Sequence, residues 1–261
     1  MLKGLYTAHT GLRNEQNRMD IMTNNLANAS TVGFKKEGST SQSFSSVLAM
    51  KVKDASVGLA TRTPIGYNNP GVKIGENYTD FSQGSFRGTE NTFDLALSGQ
   101  GFFAIEIPAS GKGDEVSVKY TRAGDFTLNN QGYLVTNDGD YVLDTNSKRI
   151  KLDPLADASI KTDGTIEQNG VEVAKIQVVD FADYNYLEKY GETYYQPVEG
   201  AEIIASEASV NSGYLEMSNV QVVSEMVNLI NITRQYESNQ KVMQTYDGSL
   251  EIAVNQLGKL Q

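Results

Sequence analysis

Residues 218–257, SNVQVVSEMVNLINITRQYESNQKVMQTYDGSLEIAVNQL, carry Val222, Leu229, Tyr236, Met243, Leu250 and Leu257 at unbroken steps of seven. A seven-residue step returns a side chain to one stripe of a helix every two turns, the pattern with which one helix lies along another. Ile232, Tyr246, Ala253 and Leu260 form a second line beside the first, and Asn239 interrupts it as a register-setting polar residue would. Ser218 with Gln221 three residues later fits a capping box, so the helix is expected to start at Ser218 or Asn219 and to run to the chain end. At the opposite end, Leu5, Leu12, Met19 and Leu26 repeat the same step within a helical pattern from Leu2 to about Ala27. That stripe is too narrow to bury itself in an ordinary globular core. Gly11 lies inside it at a cost of roughly 1 kcal/mol against alanine, so a kink or a tight helix contact is expected there. Matched stripes at both ends imply that the chain leaves and returns to one place.

Between them the period changes. Residues 36–90 are rich in serine and glycine, with Gly58, Gly66, Gly71, Gly75, Gly84 and Gly88, and hold no sustained pattern apart from a short helix expected around Phe44 to Val52. This is an extended connector that needs a partner surface. From Phe93 to about Ala205 the period is two: Phe93–Leu97, Phe103–Ile107, Val116–Tyr120 and Lys175–Val179 read as strands. Asn129-Asn130-Gln131-Gly132, Asp138-Gly139, Asp163-Gly164 and Asn169-Gly170 mark turns, the last a two-residue hairpin flanked by Thr165-Ile166-Glu167 and Val171-Glu172-Val173. The expected fold is α+β: N- and C-terminal helices pairing as a coiled-coil-like layer, with a central antiparallel all-β domain. The domains expected are 1–36 with 211–261, a connector over 37–90, and a β-rich part over 91–210.

Composition narrows the function. A chain of 261 residues with 39% hydrophobic content can build one or two cores. Its net charge of −10 argues against nucleic acid, which needs a basic face. The charge is uneven: Lys3, Arg13, Arg18, Lys35 and Lys36 against Glu15 and Asp20 make residues 1–36 +3 and the remainder −13. Without cysteine there is neither disulfide nor thiolate metal site. Arg13, Glu15 and Arg18 interrupt any apolar h-region, so no cleaved secretory signal is expected, and no apolar run is long enough for a membrane span.

Motifs with chemical potential are few. His9, the sole histidine, has no second ligand for a metal and no nucleophile elbow for triad chemistry. Ser98-Gly99-Gln100-Gly101-Phe102-Phe103-Ala104 matches G-x-G-x-x-A formally, yet Phe102–Ile107 alternates like a strand and offers no helix N-terminus to a pyrophosphate. Asn137-Asp138-Gly139-Asp140 with Asp144 resembles half a calcium loop but passes into Tyr141-Val142-Leu143, so a turn is expected. Asp180 with Asp183, or Glu167 with Glu172, gives paired carboxylates suited to a cell-wall glycan hydrolase, which stands as an alternative alongside a secreted adhesin-like binding module. No cofactor, metal or catalytic residue is expected.

Five segments then align with a known pattern. Asn24-Asn25-Leu26-Ala27-Asn28-Ala29-Ser30-Thr31-Val32-Gly33-Phe34-Lys35 resembles the N-terminal signature of the bacterial flagellar rod and hook proteins. So do Asp80-Phe81-Ser82-Gln83-Gly84, Asp94 to Phe103, Tyr120-Thr121-Arg122-Ala123-Gly124-Asp125-Phe126, and Gly213-Tyr214-Leu215-Glu216-Met217-Ser218-Asn219-Val220. The resemblance implies a non-enzymatic subunit of the flagellar axial structure in the basal body, exported by the flagellar type III apparatus. Its implied partners are copies of itself, other rod and hook proteins, the export apparatus, and the surrounding ring bushing and peptidoglycan layer. Terminal segments in such proteins are expected to order on assembly into a helical inner layer, with the β domain outward. Length and middle segment favour the distal rod over the proximal rod, which the opening Gly4-Leu5-Tyr6-Thr7-Ala8 also suits, and over the hook. The expected assembly interface is Leu5, Leu12, Met19, Asn24, Asn25, Leu26, Gly33, Phe34, Val222, Leu229, Tyr236, Met243, Leu250 and Leu257.

Overall fold

A computed structural model describes residues 2–51, 63–107 and 117–257. The chain is α+β and divides into two compact units: Met1–Ala27, Glu37–Asp80 and Gln221–Gln261 form one, Asn28–Lys36 and Phe81–Val220 the other.

In the first unit α1 spans Leu2–Ala27, as its apolar spacing predicts. Strands β1 (Glu37–Ser43), β2 (Val47–Lys51), β3 (Thr63–Asn68) and β4 (Val72–Thr79) follow, and α2 spans Val222–Leu257. β1 pairs antiparallel with β4, and β2 with β3. The short helix expected around Phe44 to Val52 is therefore corrected. Val47-Leu48-Ala49-Met50-Lys51 has good helix formers, but its backbone pairs with β3 in the register Val47↔Asn68 and Leu48↔Tyr67. Tertiary pairing overrides a weak local preference. Val52 and Gly58 lie outside the described residues, as do Val116 of the expected Val116–Tyr120 strand and Leu260 of the second helical line.

Residues around β1 and between β3 and β4 bond to α1. Asn14 donates from Nδ2 to Ser41 Oγ at 2.9 Å, and Thr7 Oγ1 donates to the Pro70 carbonyl at 3.0 Å. Asn25, fully buried, accepts the Glu37 amide at Oδ1 (2.9 Å) and donates from Nδ2 to the Glu37 carbonyl (2.7 Å). One side-chain amide thus takes the place of a strand partner at the start of β1. With β1 and β4 on one side and α2 on another, α1 is covered more widely than its own stripe requires.

The start of α2 is a second correction. Ser218 Oγ accepts from the Val220 amide at 3.3 Å, a local turn that occupies the hydroxyl. The first helical bond is Glu225 N–H to the Gln221 carbonyl, 3.0 Å, so α2 begins three to four residues later than Ser218 or Asn219.

In the second unit nine strands among the described residues form the main antiparallel sheet. Its central strand, Phe102–Ile107, pairs with Ser117–Thr121, Tyr141–Val142 and Val178–Phe181. Alternation sends Phe103 into a core with Leu95, Leu97, Phe126, Leu134, Ile150 and Val210, while Phe102 and Ala104 enter a second with Tyr120, Val179, Phe181 and Tyr195. Both faces are covered, so the strand is buried from Phe102 to Glu106. Phe102 sits in an aromatic cluster, with ring centroids 5.6 Å from Tyr195 and 5.9 Å from Phe181. Phe103→Ala is expected to destabilise this unit by about 3–5 kcal/mol, read as a lowered denaturation midpoint.

The Asn169-Gly170 hairpin forms as the sequence predicts. Both residues hold positive φ, 53° and 78°, and Gln168 pairs with Val171 across a two-residue turn.

Candidate assembly surface

The two terminal helices pack antiparallel within their unit. Gly4 faces Tyr246 and Gly11 faces Asn239, so seven residues forward on α1 correspond to seven back on α2. A Cβ on Gly4 would fall 2.3 Å from Tyr246 Oη, and one on Gly11 would fall 3.1 Å from Asn239 Nδ2. The glycine at position 11 answers the expectation of a kink or a tight contact: it is a tight contact.

Along α2 the sheltered positions are Glu225, Leu229, Ile232, Tyr236, Asn239, Met243, Tyr246, Leu250 and Ala253, alternating by four and three, with Thr233 and Gly248 beside them. The same register, continued by sevens, sets residues 18 and 25 opposite 232 and 225. Asn25, Glu225 and Ile232 are among the buried residues of the pair.

Leu5, Leu12, Met19, Leu26, Leu229, Tyr236, Met243 and Leu250 are half-buried, whereas Asn24 is exposed. Val222 is exposed and precedes the sheltered series, and the side chain of Leu257 lies outside those described. Half-burial leaves the stripe incompletely covered by its own chain. At the α1 N-terminus and the C-terminal half of α2, Leu5, Tyr6, His9, Val47, Pro70 and Met243 line an apolar groove of about 580 Å³. Near the start of α2, Val223, Met226, Val227 and Ile230 face solvent at 77%, 47%, 53% and 53% exposure.

Gly33 and Phe34 belong to the other unit and serve a different arrangement. Gly33 has φ 68°, donates its amide to the Glu216 carbonyl at 2.8 Å, and would place a Cβ 2.3 Å from the Ala123 nitrogen. Phe34 is fully buried, with Lys189 Nζ 4.4 Å from its ring centre. Next to it, fully buried Lys35 donates to Glu216 Oε1 at 2.6 Å and to the Ser82 carbonyl at 2.9 Å. Arg122 Nη1 approaches Glu216 Oε2 at 3.3 Å while its Nη2 donates to the Gly99 carbonyl at 2.8 Å. The Gly84 amide supplies another donor to Glu216 Oε1, 2.9 Å away.

This clasp joins all five signature segments of the sequence. Gln83 Nε2 donates to the Leu97 carbonyl, Leu95 N–H to the Gly124 carbonyl, and Asn219 Oδ1 accepts the Lys36 amide. A carboxylate shared by two cations and an amide is satisfied although buried, and losing it would strand both cations. Lys35, Arg122 and Glu216 lie within the signature segments, but no local pattern in the sequence links the three. The signal was present as three charges set among small and apolar neighbours. Gly33→Ala combines positive φ with a backbone clash, and is expected to lower stability by at least about 2 kcal/mol in a denaturant titration.

The remaining motifs have local duties. Gly99 and Gly101 turn between strands Leu95–Ser98 and Phe102–Ile107, with no helix after them. Asp138 accepts from Tyr194 OH at 2.9 Å, and Asn137 Nδ2 donates to Asp125, whose carboxyl is pushed up from its ordinary pKa by burial and partly restored by hydrogen bonding. Among the described residues no group of three or more acidic, histidine or cysteine side chains is placed to hold a metal. Asp180 accepts from Tyr184 OH and the Phe181 amide, and Asp183 caps a short 3-10 turn. Glu167 and Glu172 sit opposite each other across the hairpin with Lys161 between them. No described helix is long and apolar enough to cross a membrane.

Fold and site together define an α+β protein whose two chain ends build one helical unit and whose signature segments lock a β-rich one. Comparison with known proteins agrees. Residues 5–35 match the model of the flagella basal body rod protein family, 96–168 that of the flagellar hook protein FlgE/F/G D1 domain, and 211–257 that of the flagellar basal body rod FlgEFG protein C-terminal region. The flagellar basal-body rod protein FlgG of Bacillus subtilis is 34% identical over a 278-residue alignment covering 98% of this chain and 99% of that protein. FlgF of Caulobacter vibrioides is 34% identical with both chains covered completely, and the hook-basal body complex protein FlhO of B. subtilis is 30% identical with equal coverage. The chain belongs to the flagellar basal-body rod and hook family of axial proteins.

Proposed function

We propose that this chain is a structural subunit of the bacterial flagellar rod, in its distal part, which self-assembles into the hollow shaft carrying torque from motor to hook. The observation that carries the reading is full-length similarity to basal-body rod proteins together with a terminal helix pair whose apolar residues are only half covered. In the shaft, residues 1–36 and 211–261 would supply a coiled-coil-like inner layer, 37–90 a connector, and 91–210 an outward β domain. The interface residues from Leu5 to Leu26 and from Val222 to Leu257, with Gly33 and Phe34, would order this layer. Marginal helices of this kind gain stability when neighbours cover them. Export without a cleaved signal, and contact with the ring bushing and peptidoglycan, complete the reading.

The test is electron microscopy of the concentrated full-length chain. Tubes or helical filaments are expected from it, and not from a chain lacking residues 222–257; a chain that stays monomeric at every concentration would overturn the proposal. A cell-wall hydrolase would instead clear peptidoglycan, which the rod reading does not expect.

A further inference from the structure

Within the helical unit, α1 ends and α2 begins at the same level of their pair. The register that sets Gly4 against Tyr246 and Gly11 against Asn239 brings Ala27, the last residue of α1, opposite residue 223, one past the first residue of α2. In sequence the two points are separated by the 194 residues 28–221. A free chain of that length holds its ends together poorly, because closure weakens as about the 3/2 power of the span.

The clasp of the β-rich unit cuts this span short. Three bonds run directly from the segment after α1 to the segment before α2. Lys35 Nζ donates to Glu216 Oε1 at 2.6 Å, the Gly33 amide to the Glu216 carbonyl at 2.8 Å, and the Lys36 amide to Asn219 Oδ1 at 2.8 Å. Only residues 28–34 lie between α1 and Lys35, and only residues 217–221 between Glu216 and α2. Neither stretch holds a helix or a strand.

We infer that the clasp is the closing loop of the helix pair, with Lys35 and Glu216 as positioning residues for α1 and α2. Through it, helices 194 residues apart in sequence become an αα-hairpin with an effective connection of about twelve residues, close to the 2–8 usual between helices of a bundle. On the same 3/2-power scaling, closure is favoured about sixtyfold over a free span of the full length. Both charged side chains of the link are 0% exposed, so it opens only when the β-rich unit opens. Pairing of the chain ends is thereby made conditional on a folded β-rich unit. This holds for one chain in dilute solution and needs no second copy.

Hydrogen exchange of the dilute full-length chain reads the pairing equilibrium, since α2 amides exchange through the opened pair. Flexible Gly-Ser segments of about 12 and about 36 residues, inserted between Val220 and Gln221, lengthen the tether alone. The bonds of Ser218 and Asn219 lie before that point, and the first α2 bond, Glu225 N–H to the Gln221 carbonyl, lies after it. Protection over Leu229–Tyr246 is expected to fall at least about threefold with the shorter insert and at least about eightfold with the longer, with protection of the sheet unchanged. The same inserts between Leu155 and Ala156, where Leu155 is 96% exposed, lengthen the sequence between the helices equally but lie inside the span that the clasp bypasses. They should leave α2 protection unchanged. Inserts between Gly191 and Glu192, in the turn after strand Leu187–Tyr190, repeat that comparison if the first site disturbs the sheet. Equal losses from inner and outer inserts, or no loss from the longer insert beside α2, would overturn the clasp as closing loop. So would an α2 without protection in the unmodified chain. Each outcome is read on single chains, so the rod proposal stands or falls separately.

Discussion

Glu216→Leu is expected to lower the unfolding free energy of the β-rich unit by about 3–5 kcal/mol, the cost of leaving a buried charge without its counter-ion. Lys35 and Arg122 both sit against this carboxylate, with 0% and 3% of their side chains exposed, so neither can turn to water without opening the unit. The Gly84 amide loses its acceptor at the same time. Urea titration of the full-length variant followed by tyrosine fluorescence should show the midpoint shift. Replacing the triad together, Lys35→Met with Arg122→Met and Glu216→Leu, should recover most of the loss, since apolar side chains of similar volume carry no desolvation cost. Equal destabilisation in single and triple variants would mean that the clasp acts through shape alone.

Leu229→Asp and Met243→Asp are expected to abolish motility and shaft assembly while the β-rich unit stays folded. Both residues stand on the sheltered series of α2, one near its beginning and the other two heptads later. A carboxylate on either would be drawn from water without a partner, costing roughly 2 kcal/mol per site or more against helix pairing. Helices of this kind draw most of their stability from the face they bury, so the loss falls on the pair and not on the sheet of the other unit. Swimming assays of cells carrying each variant, with circular dichroism of the purified chains, measure the two effects separately. Normal swimming in both variants would remove the seam from the assembly device.

The clarity of each element in the sequence follows from the range of the forces that set it. α1, expected from Leu2 to about Ala27, is legible because its apolar spacing is a local pattern. The Asn169-Gly170 turn was legible because its two positive φ values are a property of two residues. The stretch from Phe44 to Val52 looks helical on local grounds because the strand Val47–Lys51 exists only through residues 63–68. The start of α2 slipped because Ser218 uses its hydroxyl two residues ahead, a choice its sequence alone leaves open.

At the candidate site the contrast is sharper. The two heptad lines predict the sheltered series of α2 from Leu229 to Ala253, including Ile232 and Asn239, but not buried Glu225. Periodicity did not separate Val222 from the rest, although it is exposed, because a period carries no information about where burial begins. Lys35 and Glu216 pair across 181 residues, a distance over which no local pattern operates. Gly33 and Phe34, grouped with the helices by their place in the sequence, take their contacts from the β-rich unit.

The most direct test of assembly through the chain ends is limited proteolysis with mass spectrometry, run on the full-length chain in dilute solution and again after assembly. The dilute chain is expected to lose both ends first and to leave a resistant core near residues 91–205, and α1 and α2 are expected to become resistant once assembled. Uniform resistance of the dilute chain, or helices cut at the same rate before and after assembly, would contradict it.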